Sequence, residues 1–249
     1  MTKGSGLGDN LYVAEFDLSG DAGSIGNIGG GPAPLVVTGI DKHAPERLGG
    51  IKDGRLEFRT WFNPATAQEH EALSPLPTSD VIVSYLRGTT LGDPAASMVA
   101  KQIGYDPSRG ADGSLDFGVA AQATSGVPLA WGRNLTAGVR TDTGATNGAS
   151  IDDGAGTTFG MLLYLHVFEF TGTDAQVKVQ GSSDDAVGDP FADIAGATFT
   201  VTGVGAQRLN VASPASIERY LRCVSATTGG FTSMDFALVA VRNDVETDF

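Results

Sequence analysis

Cysteine is almost missing from this chain, and histidine and positive charge are scarce. Its 249 residues hold one cysteine, three histidines and 16 Lys/Arg against 29 Asp/Glu. A single thiol, Cys223, cannot close an internal disulfide, and its setting in Tyr220-Leu-Arg-Cys-Val224 reads as a buried strand thiol rather than a reactive one. His43, His70 and His166 lie in a polar loop, a helix candidate and an apolar strand. None has a second histidine or a cysteine at metal-ligand spacing, so no zinc site is expected, and His166 reads as a core histidine.

Long hydrophobic runs are lacking too. No stretch approaches the ~18 apolar residues of a membrane span, and the longest, Phe159 to Phe170, is interrupted by Gly160, His166 and Glu169. The opening Met-Thr-Lys-Gly-Ser-Gly carries no secretory apolar segment, so synthesis and retention in a cytoplasm are expected. Residues 1–138 hold 10 Lys/Arg and 15 Asp/Glu, and residues 139–249 hold 6 and 14, so the formal charge of -13 divides into -5 and -8. Neither part offers the cationic footprint that displaces phosphate counterions.

Phosphate cradles fail as well. Gly20 to Gly31 is glycine-rich, but no Gly-Lys-Ser/Thr follows and no βαβ unit surrounds it, so it reads as a flexible surface loop. The Gly-x-Ser-x-Gly elbow of serine hydrolases is absent. No catalytic residue is assigned, no cofactor is expected, and the chain reads as a non-enzyme.

What is abundant is glycine, 35 residues, about twice the usual share. Many short strands joined by tight turns use glycine in this way. Leu56, Phe58, Thr60 and Phe62 alternate with Arg55, Glu57, Arg59 and Trp61, and Leu115, Phe117, Val119 and Ala121 alternate with Asp116, Gly118, Ala120 and Gln122. That is the period of half-buried strands. Further strands are expected at Leu11–Leu18, Leu35–Thr38, Val81–Leu86, Ser97–Tyr105, Leu129–Asn134, Phe159–Phe170, Ala175–Val179, Ala197–Thr202, Gln207–Val211, Ile217–Val224 and Phe231–Val241. One short helix is expected over Pro64–Leu73, capped by Asn63 and stopped by Pro75.

The predicted fold class is therefore all-β with one short helix, in two domains. The small, polar segment between Arg140 and Thr157 has almost nothing to bury and reads as a linker. This divides the chain into a core domain at 1–138, a linker at 139–156 and a β-sandwich at 157–249.

Two acidic groups invite an ion. Asp184, Asp185, Asp189 and Asp193 fall close together, but off the EF-hand series, so a solvated turn is the preferred reading. Asp106, Asp112 and Asp116 around Gly110 and Gly113 read as hairpin-turn chemistry. Phe191, Tyr164 and Phe231 could form a sugar platform, against the simpler reading that they fill a sandwich core.

A family resemblance enters through short phrases in a fixed order. Tyr12-Val-x-x-Phe-Asp-Leu-Ser-Gly20, Leu35-Val-Val-Thr-Gly-Ile-Asp41, Arg47-Leu-Gly-Gly-Ile-Lys-Asp-Gly54 and Phe62-Asn-Pro64 resemble the major tail tube protein of long-tailed, siphovirus-type bacteriophages. Ala111-Asp-Gly-Ser-Leu-Asp-Phe117 and Leu129-Ala-Trp-Gly132 are similar to that family's closing strands, and the match covers about residues 9–138. Val177-Lys-Val-Gln-Gly-Ser-Ser-Asp184, Phe191-Ala-Asp193 and Arg219-Tyr-Leu-Arg222 with Gly229-Gly-Phe231 resemble the β-sandwich appendages of phage particles.

The resemblance implies a structural virion protein, assembled in the host cytoplasm as stacked hexameric rings into a non-contractile tail tube. Its partners would be its own copies and other tail proteins, with DNA passing through the lumen unbound and no membrane involved. Lys42, His43, Glu46 and Arg47, in the Gly39–Lys52 span, become candidates for contact between rings. Glu57 and Asp116 become candidates for the lumen, where an acidic bore is expected because attraction would retard DNA. The alternative is a capsid decoration protein or a carbohydrate-binding adhesin, its sandwich touching a host-surface glycan.

Overall fold

The computed structural model describes residues 5–76 and 79–244. They form fourteen strands and one short helix, all-β in class as expected. The strands are β1 (Asn10–Val13), β2 (Phe16–Asp17), β3 (Ala22–Val36), β4 (Arg47–Trp61), β5 (Val81–Leu86), β6 (Pro94–Arg109), β7 (Leu115–Ala123), β8 (Ala130–Asn134), β9 (Arg140–Asp142), β10 (Thr146–Asp152), β11 (Met161–Ser182), β12 (Ala192–Val201), β13 (Gly205–Val211) and β14 (Tyr220–Arg242), with helix α1 at Glu69–Leu73.

The chain divides into two compact units that are not consecutive in sequence. The smaller comprises Asp21–Val81 and Met98–Ala130; the larger comprises Met1–Gly20, Ile82–Ser97 and Trp131–Phe249. The boundary expected at residue 138 is thus replaced by crossings at 20/21, 81/82, 97/98 and 130/131. Nor is 139–156 a linker: β9 and β10 both pair antiparallel with β14. Backbone hydrogen bonds hold this segment, so its lack of apolar side chains did not announce a strand.

In the smaller unit four antiparallel strands lie in the order β3-β4-β7-β6. The alternation read in β4 and β7 is realised: Leu56, Phe58, Thr60, Phe117, Val119 and Ala121 are buried, whereas Arg55, Arg59 and Trp61 are exposed. The glycine-rich span expected as a loop is most of β3. Its register shifts between Ile25 and Asn27, which places Ile25 opposite Phe58 and Ile28 opposite Leu56, three residues apart instead of two. A bulge of this kind hides a strand from period-two reading.

Helix α1 starts later than expected. Ala67 has a left-handed φ of 58°, which breaks any turn begun at Pro64. Asn63 does not cap the helix; its Nδ2 donates to Asp21 at 2.8 Å and its Oδ1 accepts from the Ala65 amide at 3.2 Å. Asp21 instead receives the Glu69 amide at 3.0 Å, and the fully buried Glu69 carboxylate accepts from Thr60 Oγ1 at 2.8 Å. The helix is thereby bolted to β4 by paired polar groups that would be costly to bury alone.

In the larger unit β11 and β14 pair from Met161 opposite Arg242 to Ser182 opposite Tyr220, with register shifts between Val167 and Gln176. The two pairs of strands expected here, 159–170 with 175–179 and 217–224 with 231–241, are thus two long bent strands. β12 and β13 border β11. Leu163, Leu165, Val177, Val179, Phe199, Leu221, Phe236 and Leu238 lead its core. The opposite side of β11 is buried too: His166 Nδ1 donates to the Ala14 carbonyl at 2.7 Å and Nε2 lies 2.8 Å from Ser84 Oγ. A carbonyl can only accept, which fixes the Nδ1–H tautomer and makes Ser84 the donor to Nε2.

Candidate functional site

The exposed face and the edges of the smaller unit's sheet collect most of the sequence-predicted site residues. Glu57 and Asp116 do lie on one face, the outward side of β4 and β7, where Glu57 stands opposite Ala120 and Asp116 opposite Trp61. Each carries an arginine: Glu57 pairs with Arg55, and Asp116 with Arg59 at 2.9 Å. Both carboxylates are thus locally compensated. Gln122, opposite Arg55, donates to Asp53 at 3.2 Å and extends the polar row.

Lys42, His43 and Glu46 sit in the exposed loop joining β3 to β4, and Arg47 opens β4 opposite Val36. Val37 N–H donates to the Glu46 carbonyl at 2.9 Å, and Glu46 N–H donates to Thr38 Oγ1 at 3.0 Å, closing the loop. Lys42 lies 3.6 Å from Glu46 and 3.7 Å from Asp41. Such exposed pairs contribute little stability. Lys52, the far end of the expected contact span, is within β4 and opposite Pro32.

Two features of this sheet had no signal in side-chain type. The first is its pair of open edges. Among the described residues β3 pairs only with β4, and from Gln102 to Arg109 the strand bordering β6 is β7. The two free edges stand level: Ala22, Thr60, Phe117 and Pro107 form one cross-strand row, Ile25, Phe58, Val119 and Tyr105 a second, and Ile28, Leu56, Ala121 and Gln102 a third.

The second feature is a ribbon. From Ala22 to Asp53 no residue is buried, and the far part of the β3–β4 hairpin exposes Leu35, Val36, Ile40, Leu48 and Ile51. Their only sequence signal was the run Leu35-Val-Val, read as a short isolated strand.

The other candidates do not converge. Asp184 accepts from the Gly188 and Asp189 amides, Asp189 accepts from the Ser183 amide, and Asp185 accepts from Ser150 Oγ. Hydrogen bonds to Asp184, the Asp189 amide foremost, hold its carboxyl below the ordinary range. Asp193 is bound instead by Gln180 and Lys178, which lower its pKa in that order. The carboxylates are thus engaged in shaping their own loop, and among the described residues no group of three or more metal-capable side chains gathers.

Of the sugar-platform candidates, Tyr164 and Phe231 are buried, while Phe191 lies under the Arg222 guanidinium at 4.2 Å. They form no common surface. His70 Nδ1 meets Tyr105 Oη at 2.9 Å beside Phe62, a local aromatic cluster. Cys223 is buried, and desolvation pushes its thiol up to about 12, which leaves it unreactive at neutral pH.

No protein-family model matches the chain, and no curated protein matches it in sequence. Similar solved structures are components of phage and phage-like particles. A chain of the virion of a native gene transfer agent particle aligns with 51% of this chain and 98% of its own, at 11% identity and a TM-score of 0.42. The Dit protein of phage SPP1, described as a hub of the adsorption apparatus in phages infecting Gram-positive hosts, aligns with 93% of this chain and 98% of its own, at 8% identity and a TM-score of 0.32. A chain of the phage p2 baseplate in its activated conformation aligns with 95% and 99%, at 10% identity and a TM-score of 0.33.

Proposed function

We propose that this chain is a structural subunit of a phage tail, in which copies join edge to edge through the smaller unit's sheet into rings that stack as a non-contractile tube around DNA. The observation that carries this reading is the pair of level, open edges. β3 and the Gln102–Arg109 part of β6 are the outer strands of the four and run in opposite directions. A second copy's β3 can therefore extend β6 and keep the antiparallel alternation, and closure of a ring would remove both edges, which otherwise invite uncontrolled pairing. An odd number of strands would break the alternation at every joint.

The charge-compensated face bearing Arg55, Glu57, Arg59 and Asp116 would line the bore. Balanced pairs neither hold phosphate nor repel it strongly over more than the ~10 Å reach of charges in salt. The hairpin loop with Lys42, His43, Glu46 and Arg47 would reach beyond the ring. The sequence resemblance supports the tail tube and a sixfold ring; no catalytic step is part of this reading.

Light scattering after size-exclusion chromatography, with negative-stain microscopy of the concentrated protein, tests it. Rings or hollow tubes are expected. A protein that stays monomeric at every concentration and salt would overturn it. In Ile25→Pro, a proline in the middle row of the outer strand β3, assembly should fail while circular dichroism shows the fold kept, because a proline ring there obstructs pairing by a second copy.

A further inference from the structure

Of the seven asparagines in the chain, Asn147 alone is followed by glycine. The pair Asn147-Gly148 lies in β10, and the ladder from β10 to β14 is interrupted at that point. Asn147 stands opposite Val224 and Ser150 opposite Arg222, so Gly148 and Ala149 share the single place opposite Cys223. A bulge of this kind frees the local backbone from the extended geometry of a regular strand.

The fold itself demands the glycine. A Cβ at residue 148 would fall 2.6 Å from Arg140 Nη1 and 2.6 Å from the Cys223 carbonyl oxygen, two atoms already joined by a hydrogen bond of 3.0 Å. Asn147 is exposed, and its carboxamide meets no hydrogen-bond partner among the described residues. Both ends of the bulge are held: Thr146 N–H donates to Ser225 Oγ at 3.1 Å, and Ser150 Oγ donates to Asp185 at 2.6 Å. The other exposed asparagines in strands, Asn27 and Asn210, precede Ile28 and Val211, whose branched side chains crowd the amide that follows.

We propose that Asn147 is a site of spontaneous covalent modification, in which the Gly148 backbone nitrogen attacks the side-chain carbonyl carbon of Asn147. The new C–N bond closes a succinimide ring, the Cγ–Nδ2 bond breaks, and the Gly148 amide proton leaves with Nδ2 as ammonia. Water then opens the ring at either carbonyl. One cut yields aspartate; the other yields isoaspartate, in which the main chain runs through the former side-chain carbon. Neither step oxidises or reduces any atom. The absent side chain at residue 148 leaves the attacking nitrogen uncrowded. Isoaspartate lengthens the main chain inside the bulge, so it should loosen the Thr146–Asn147 end of β10, whereas Asp152 at the other end stays held by Arg219 at 2.7 Å. The chemistry needs no second copy of the chain and stands apart from the edge-to-edge reading.

Incubation of the full-length protein at 37 °C, at pH 7 and pH 9, followed by tryptic mapping, tests the proposal. The peptide Thr141–Lys178 carries Asn147 as its single asparagine. Its unmodified form should be lost progressively, faster at pH 9 because ring closure starts from the deprotonated amide. The product should show oxygen in place of NH, with aspartate and isoaspartate forms separated by electron-transfer fragmentation. Asn27 and Asn210 should stay intact over the same period, and Asn147→Gln should abolish the conversion. Aged protein should exchange its amides faster than fresh protein at Thr146–Ala149. A parallel incubation in urea supplies the rate of the unfolded chain. If Asn147 converts in urea but survives in the folded protein, the strand protects it and the proposal is overturned. Equal conversion of Asn27 or Asn210 would overturn the part assigned to the Gly148 bulge.

Discussion

Acidification should weaken the larger unit through one residue, His166. Its ring is fully buried against Tyr12 and Phe168, with Ala14 and Ser84 as hydrogen-bond partners. Desolvation depresses its pKa from 6.5 to about 4, against a smaller raising effect of the Ala14 carbonyl. The unfolded chain therefore takes up a proton near pH 6.5 that the folded chain refuses until about pH 4. Stability is full above pH 6.5 and falls as pH drops through that window. Below about 4 both states are protonated and this contribution falls no further. The total loss is about 3 kcal/mol, because a tenfold difference in proton affinity between the two states is worth about 1.36 kcal/mol. Urea denaturation of the wild type and His166→Asn, at pH 7, 6, 5 and 4, isolates it. Asparagine can still donate to Ala14 but does not titrate, and the carboxylates that protonate in this range do so in both proteins. The wild type should lose about 3 kcal/mol more than the variant across the window. Equal losses would refute the assignment of a buried neutral imidazole.

Arg140 and Asp142 form a buried ion pair at 2.7 Å, with the Asp142 side chain 3% exposed. Arg140→Met should cost about 3–5 kcal/mol in urea, most of it from stranding the carboxylate, and the double variant with Asp142→Leu should recover much of the loss. Gly160 combines a φ of 71° with a site where an added Cβ would fall 1.9 Å from the Val211 carbonyl oxygen. Gly160→Ala should therefore lower the melting temperature by several degrees, from about 1–3 kcal/mol of backbone strain and displacement. Asp21→Ala removes the acceptor of both the Glu69 amide and Asn63 Nδ2, and should cost about 1–3 kcal/mol while speeding exchange of the α1 amides.

Side-chain alternation revealed strands where one face meets a core and the other meets water. That condition holds for β4 and β7, whose buried and exposed residues fall as the alternation predicted. β5 matches its expected span of Val81–Leu86. Alternation fails for β10, whose Thr146–Asp152 is mostly small and polar and is held by backbone pairing to β14. It fails for β3 because the bulge after Ile25 changes the spacing of its two inward isoleucines. The helix start was misplaced for a different reason: Asn63 and Pro64 satisfy the usual starting rule, but the left-handed Ala67 intervenes and the capping role passes to Asp21, 48 residues earlier than Glu69. Local rules cannot see a carboxylate supplied from so far back in the chain.

The domain division failed for a related reason. Composition marks a boundary only where the chain leaves one core for good, whereas here it leaves and returns twice. The candidate site divides along the same line. That Arg55, Glu57, Arg59 and Asp116 share a face was readable, because alternation assigns faces. That each carboxylate is matched by an arginine required the cross-strand register, since Arg59 and Asp116 are 57 residues apart. An open edge is harder still, being the absence of a neighbour rather than the presence of a residue. Only the register of all four strands shows that the outer strands β3 and β6 stand level.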